Sequence, residues 1–184
     1  DYDLVIRGLE VIGDAGDNAL QGGGESDFID GLDGNDSLAG RDGNDDIHGG
    51  FGGDAIRGDK GNDFMFGDDG NDDLLGGEGD DQIQGGTGND TLHGGPGNDT
   101  IEGGSGRNRA QFLPRLPGFL LSDAGQKPIH VNLPAGIAEG EEIGRDALTG
   151  IADVETADGN DDIVGDEVDN LLIANGGDDT INGA

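Results

Sequence analysis

The chain has no cysteine and no tryptophan, and only 4% of its 184 residues are aromatic. Without cysteine it has no disulfide to staple a small core and no thiolate for zinc or redox chemistry. Bases are nearly as scarce. Nine Lys and Arg stand against 41 Asp and Glu, a formal net charge of −32. That balance makes nucleic acid and anionic membrane poor partners and divalent cations good ones. No run approaches the 18 or so apolar residues of a membrane span. No export signal is visible at Asp1, and with no initiator methionine the sequence reads as a fragment of a longer chain.

Catalytic signatures are missing too. There is no H-E-x-x-H pair, and none of Ser26, Ser37, Ser105 or Ser122 sits in a G-x-S-x-G setting. His48, His93 and His130 are far apart in sequence and form no ligand motif. Strings like G-x-G-x-x-G recur only because glycine is abundant, with no βαβ pattern around them. The expectation is a protein that is not an enzyme.

What is present is glycine, 41 residues of it, in a fixed period. Gly85–Glu102 reads GGTGNDTLH and then GGPGNDTIE. From Gly13 to Gln111 this nine-residue register runs without interruption for eleven units. The first position is always glycine, and the fourth is glycine in all but the unit carrying Glu25. The eighth is always apolar, from Leu20 and Ile29 to Ile101 and Ala110. The sixth reads Asn18, then Asp27, Asp36, Asp45, Asp54, Asp63, Asp72, Asp81, Asp90 and Asp99, then Asn108. Glycines turn the backbone tightly and aim its carbonyls, while the aspartate adds charge to that oxygen ring, a donor set suited to a hard cation such as Ca²⁺. The last three positions alternate polar, apolar, polar and predict a very short strand. Acids outside position six, such as Asp33, Asp42, Asp46, Asp69 and Asp73, read as solvated surface.

The register divides the chain. Residues 1–12 read as a lead-in strand and 13–111 as the repeat array. Residues 112–156 form a non-repetitive insert or cap over one end, with a strand alternation at Ile129, Val131 and Leu133. Residues 157–184 are a second, shorter array with Asp161, Asn170 and Asp179 at the sixth position.

The pattern GGxGxDxUx resembles the repeats-in-toxin (RTX) family of calcium-binding nonapeptides. The resemblance implies an all-β fold, a parallel β-roll with two nonapeptides per coil and Ca²⁺ between successive turns on the same side. Each unit would then pair with the next but one. The implied sites are Asp27/Asp45, Asp36/Asp54, Asp45/Asp63, Asp54/Asp72, Asp63/Asp81, Asp72/Asp90, Asp81/Asp99 and Asp161/Asp179, about eight ions. Asn18/Asp36 and Asp90/Asn108 would be weaker ends. Residues 146–155 resemble the segments that lead into such repeats. The family also suggests a bacterial protein secreted by a type I system, folding only where calcium is plentiful. Two other readings stand beside this one. The chain is an accessory domain of an exported enzyme, or it is an adhesion or carbohydrate-binding module. A protein or glycan partner would then meet the insert or the Phe64/Phe66 face, where cover by the insert or lead-in is the plainer expectation. Ice binding by outward ladders fails, because Asn35, Asn44, Asn62, Asn71, Asn89 and Asn98 at position five lack matching threonines.

Overall fold

A nine-residue unit with one obligatory apolar side chain cannot bury that side chain alone. It must stack on copies of itself. The computed structural model shows how. It describes residues 8–113, 115–116, 119–120 and 127–183, so residues 1–7 of the lead-in and 114, 117–118 and 121–126 of the insert lie outside the described residues.

The chain is nearly all β and winds into a parallel solenoid of about nine turns. One sheet takes β1 (Glu10–Ile12), β3 (Phe28–Asp30), β5 (Asp46–Phe51), β7 (Phe64–Asp69), β9 (Gln82–Thr87) and β11 (Thr100–Ser105). The facing sheet takes β2 (Ala19–Gln21), β4 (Ser37–Asp42), β6 (Ala55–Lys60), β8 (Asp73–Glu78), β10 (Thr91–His93) and β12 (Arg109–Phe112). The register advances by two units per coil, as in Ile29↔Ile47, Ile47↔Met65 and Leu38↔Ile56. The eighth positions from Ile29 to Ala110 are buried and form one continuous core between the sheets.

The strands are longer than the sequence predicts. From β4 to β9 all six strands hold six residues, running on through the first two positions of the next unit. What permits this is a left-handed residue at position two inside the strand. Gly50, Gly77 and Gly86 take it freely, while Arg41, Asp59 and Asp68 hold φ of 69–84° at roughly 1–2 kcal/mol each.

The insert stacks on the last strands of the first array and carries the sheets onward. It builds β15 (Ile129–Asn132), β16 (Ile137–Gly140) and β17 (Gly144–Thr149) into the first sheet, where β17 pairs in parallel with β11 and β15 in parallel with β19 (Asp162–Val164). Between them β16 runs antiparallel to both. In the second sheet β18 (Asp153–Thr156) lies between β12 and β20 (Leu172–Ala174), and β21 (Thr180–Asn182) ends the first sheet. A small antiparallel pair, β13 (Arg115–Leu116) and β14 (Phe119–Leu120), stands apart. Both sheets therefore run through the insert from one array to the other. The strand alternation that the sequence suggests holds for Ile129 and Val131, which face the core, while Leu133 falls outside the strand in a short 3-10 turn and is half-buried. Among the described residues no helix is long and apolar enough to cross a membrane.

Candidate metal centre

Winding two units per coil puts position six of alternate units in one column, so the solenoid has two edges of turns. The edge leading into the first sheet carries Asp27, Asp45, Asp63, Asp81 and Asp99. The edge leading into the second carries Asn18, Asp36, Asp54, Asp72, Asp90 and Asn108. These aspartates are all buried, as is Asn108. Within each column one carboxylate oxygen accepts the position-six backbone N–H of the preceding coil, as in Asp45 N to Asp63 Oδ1 at 2.8 Å and Asp54 N to Asp72 Oδ1 at 2.8 Å. The other oxygen is left with nothing. Oδ2 of Asp36, Asp45, Asp54, Asp63, Asp72, Asp81, Asp90 and Asp99 is buried and without a hydrogen-bond partner. A buried anionic oxygen in that condition is strongly destabilising unless a cation or proton meets it.

The first glycine of each unit makes room at that oxygen. A Cβ on Gly40 would fall 2.2 Å from Asp45 Oδ2 and 2.9 Å from the carbonyl oxygen of Gly58, one coil on. The same two neighbours recur from Gly22 to Gly85. An unpaired carboxylate oxygen and a main-chain carbonyl thus border one small space at every step, which fits a hard, oxygen-seeking cation such as Ca²⁺. Among the described residues no three His, Cys, Asp or Glu side chains converge. The remaining donors of such a site are main-chain oxygens.

One residue of this kind escapes the sequence reading. Asp99 N donates to Asp146 Oδ1 at 3.0 Å, and Asp146 Oδ2 is again buried and unpartnered. Asp146 extends the first edge across a gap of 47 residues. The signal was there: EEIGRDALT keeps Gly144, Asp146 and Leu148 at positions four, six and eight, but Glu141 and Glu142 replace the leading glycines. Further on, Ile129 N donates to Asp161 Oδ1 and Asp161 N to Asp179 Oδ1, each at 2.9 Å. The structure so brings Asp161 and Asp179 together, with Asp161 Oδ2 unpartnered.

Position five carries a second ladder of opposite sense. Its side chain accepts the N–H of the following coil, as in Asn62 N to Asn44 Oδ1 at 2.9 Å and Asn89 N to Asn71 Oδ1 at 2.7 Å. Those asparagines are spent on holding coil to coil. Asp33, Asp42, Asp46, Asp69 and Asp73 are exposed, as expected of solvated acids.

On the outer face of the first sheet, His48 lies between Phe28 and Phe66, with ring centroids 5.7 and 4.6 Å away. Phe64 remains 45% exposed, so the described residues leave it uncovered, contrary to expectation. His93 is half-buried and its Nε2 meets the Leu113 carbonyl at 2.7 Å; desolvation lowers its pKa.

Burial raises the carboxyl pKa of Asp45, Asp54, Asp63, Asp72, Asp81, Asp90, Asp99 and Asp146. Asp63 moves to about 6, Asp72 and Asp146 to about 7, and Asp81 and Asp99 to about 8. For all but Asp146, neighbouring carboxylates add to the rise, and in each case an accepted backbone N–H takes part of it back. Since these values exceed the about 3.9 of an unfolded aspartate, the metal-free fold binds more protons than the unfolded chain between roughly pH 4 and 8. Its stability therefore falls as pH rises through that window. The metal-free chain is expected to show more β signal by circular dichroism at pH 5 than at pH 8, and calcium uptake at pH 7 to release protons, read as a dependence of calorimetric heat on buffer ionisation enthalpy. Equal β content at both pH values would contradict this.

The family model described as the RTX calcium-binding nonapeptide repeat, in blocks of four copies, matches residues 12–47, 40–74, 48–83, 75–110 and 155–184. No curated protein matches the chain.

Proposed function

The chain belongs to the RTX calcium-binding nonapeptide repeat family, and on that premise we propose that it is a non-enzymatic module whose folding is switched by Ca²⁺ held between successive turns. The family makes it a calcium-binding module. The observation that carries the rest is the column of buried, unpartnered Oδ2 atoms, those from Asp36 to Asp99 each facing a space that the first glycine of its unit leaves open.

On the first edge the steps joining two carboxylates are Asp27/Asp45, Asp45/Asp63, Asp63/Asp81, Asp81/Asp99, Asp99/Asp146 and Asp161/Asp179. On the second they are Asp36/Asp54, Asp54/Asp72 and Asp72/Asp90. Nine steps result, one more than the eight read from sequence, the addition being Asp146. Calcium bound there would neutralise stacked carboxylates and tie each coil to the next. The chain's own part is to hold one oxygen of each aspartate on a backbone N–H and to leave the other free.

A switch of this kind suits a bacterial protein made where calcium is scarce and secreted, through a type I system, to where it is abundant. There the module would fold and support whatever domain it accompanies. Calorimetric titration of the full chain at pH 7.5 is expected to count about nine ions. A count near zero overturns the reading.

A further inference from the structure

The three turns with asparagine at position six are built differently from the aspartate turns, and all lie on the second edge. Asn18 accepts Asp14 N through Oδ1 at 2.7 Å and donates Nδ2 to Asp14 Oδ1 at 3.1 Å. Asn170 repeats this with Asp166, at 2.8 and 3.1 Å, and its Nδ2 also reaches the Ala152 carbonyl at 2.7 Å. Asn108, fully buried, accepts Asp90 N at 2.9 Å and donates Nδ2 to the Gly150 carbonyl at 3.3 Å. Beside it, Arg107 meets buried Asp153 through two bonds of 2.8 Å, Nε to Oδ2 and Nη2 to Oδ1. No polar side-chain atom of these four residues is buried without a partner, whereas Oδ2 of all four aspartates between them is.

The chemistry is a substitution. An aspartate turn has an oxygen facing oxygens and requires a positive charge from outside. At Asn18 and Asn170 the oxygen bordering that space is a neutral amide oxygen that already accepts a backbone N–H of its own turn, and at Asn108 the amide Nδ2 takes the place beside the Gly150 carbonyl, so these turns are complete without an ion. Arg107 does the same for Asp153 with a full charge.

We propose that Asn108, with Arg107 beside it, supplies from the chain itself what the ion supplies elsewhere, and that the neutral turns at Asn18 and Asn170 need no ion, so that the second edge is closed to calcium at both ends. The row of ions on that edge is fixed between Asp36 and Asp90. Among the described residues the first edge carries no such closure, and it continues through Asp146. The proposal rests on the calcium reading above and narrows it, because Asn18 and Asn108 become boundaries of the array rather than its weak ligands.

Two substitutions at one position test it in the full chain. Asn108→Ser removes the amide without adding charge, and the calcium count by calorimetry is expected to equal that of the wild type. Loss of one ion would show Asn108 to be a ligand and overturn the proposal. Asn108→Asp replaces N–H with a second carboxylate oxygen beneath Asp90, and a gain of one ion is expected. An unchanged count in a variant that folds in calcium also overturns it. Should Asn108→Asp not fold, the Asn108→Ser count decides alone. A wild-type chain that binds no calcium sinks the calcium reading, a result distinct from either variant outcome.

Discussion

Chelating the calcium should unfold the repeat array at pH 8, with loss of most of its β signal in far-UV circular dichroism and its return when calcium is restored. The argument is one of magnitude. An ion present at about 100 times its dissociation constant contributes about 2.7 kcal/mol to the state that binds it. About nine such ions exceed the roughly 5–15 kcal/mol that is the whole net stability of an ordinary domain. Without them the fold holds buried, unpartnered carboxylate oxygens from Asp36 to Asp161 and a formal charge of −32. The apolar core is one side chain deep and gives little against this, since its members from Ile29 to Ile101 come one per nine residues. A β signal unchanged between excess chelator and millimolar calcium would refute the switch.

Gly58→Ala should be nearly as damaging, although it adds one methyl group. That carbon would lie 2.2 Å from Asp63 Oδ2 and 2.6 Å from the carbonyl oxygen of Gly76. Gly76 belongs to β8, which pairs with β6 on either side of it, at Arg57↔Leu75 and Asp59↔Gly77, so its carbonyl has little freedom to withdraw. Crowding of this kind costs about 1–3 kcal/mol, and the methyl group fills the space where the two oxygens meet. Loss of one ion, another 2.7 kcal/mol or so, is expected with it. The calcium concentration at half-folding should rise and the calorimetric count should fall by at least one. Ser37→Ala, at an exposed position seven, should change neither. If Gly58→Ala behaves like Ser37→Ala, the first glycine has only a backbone role and the cradle is misread.

The repeat register and the inward eighth positions were legible because each is written in every unit, whereas the coil of two units came only with the resemblance to the family, since no single unit states it. Less legible was what depends on contacts between units. Sequence explains the glycines by their freedom to turn, yet position one needs glycine for want of space, and position two keeps its left-handed backbone even as Leu32 or Arg41. Asn44 and Asn71 look like surface decoration until the following coil is placed above them. The insert reads as a cap because β15 and β17 pair with strands far along the chain, and no local pattern announces a partner at that distance. Asp146 was hidden by the two glutamates that stand where a unit should open.

The 18-residue register has a consequence for length. Leu20↔Leu38 on one sheet and Ile29↔Ile47 on the other mean that odd and even units never mix. Removing two adjacent units would shorten the rod and preserve this parity. Removing one would flip everything downstream to the opposite side and thrust the Asn108 amide into the longer file of carboxylates. Evolution or an engineer can therefore change the size of this molecule only by even numbers.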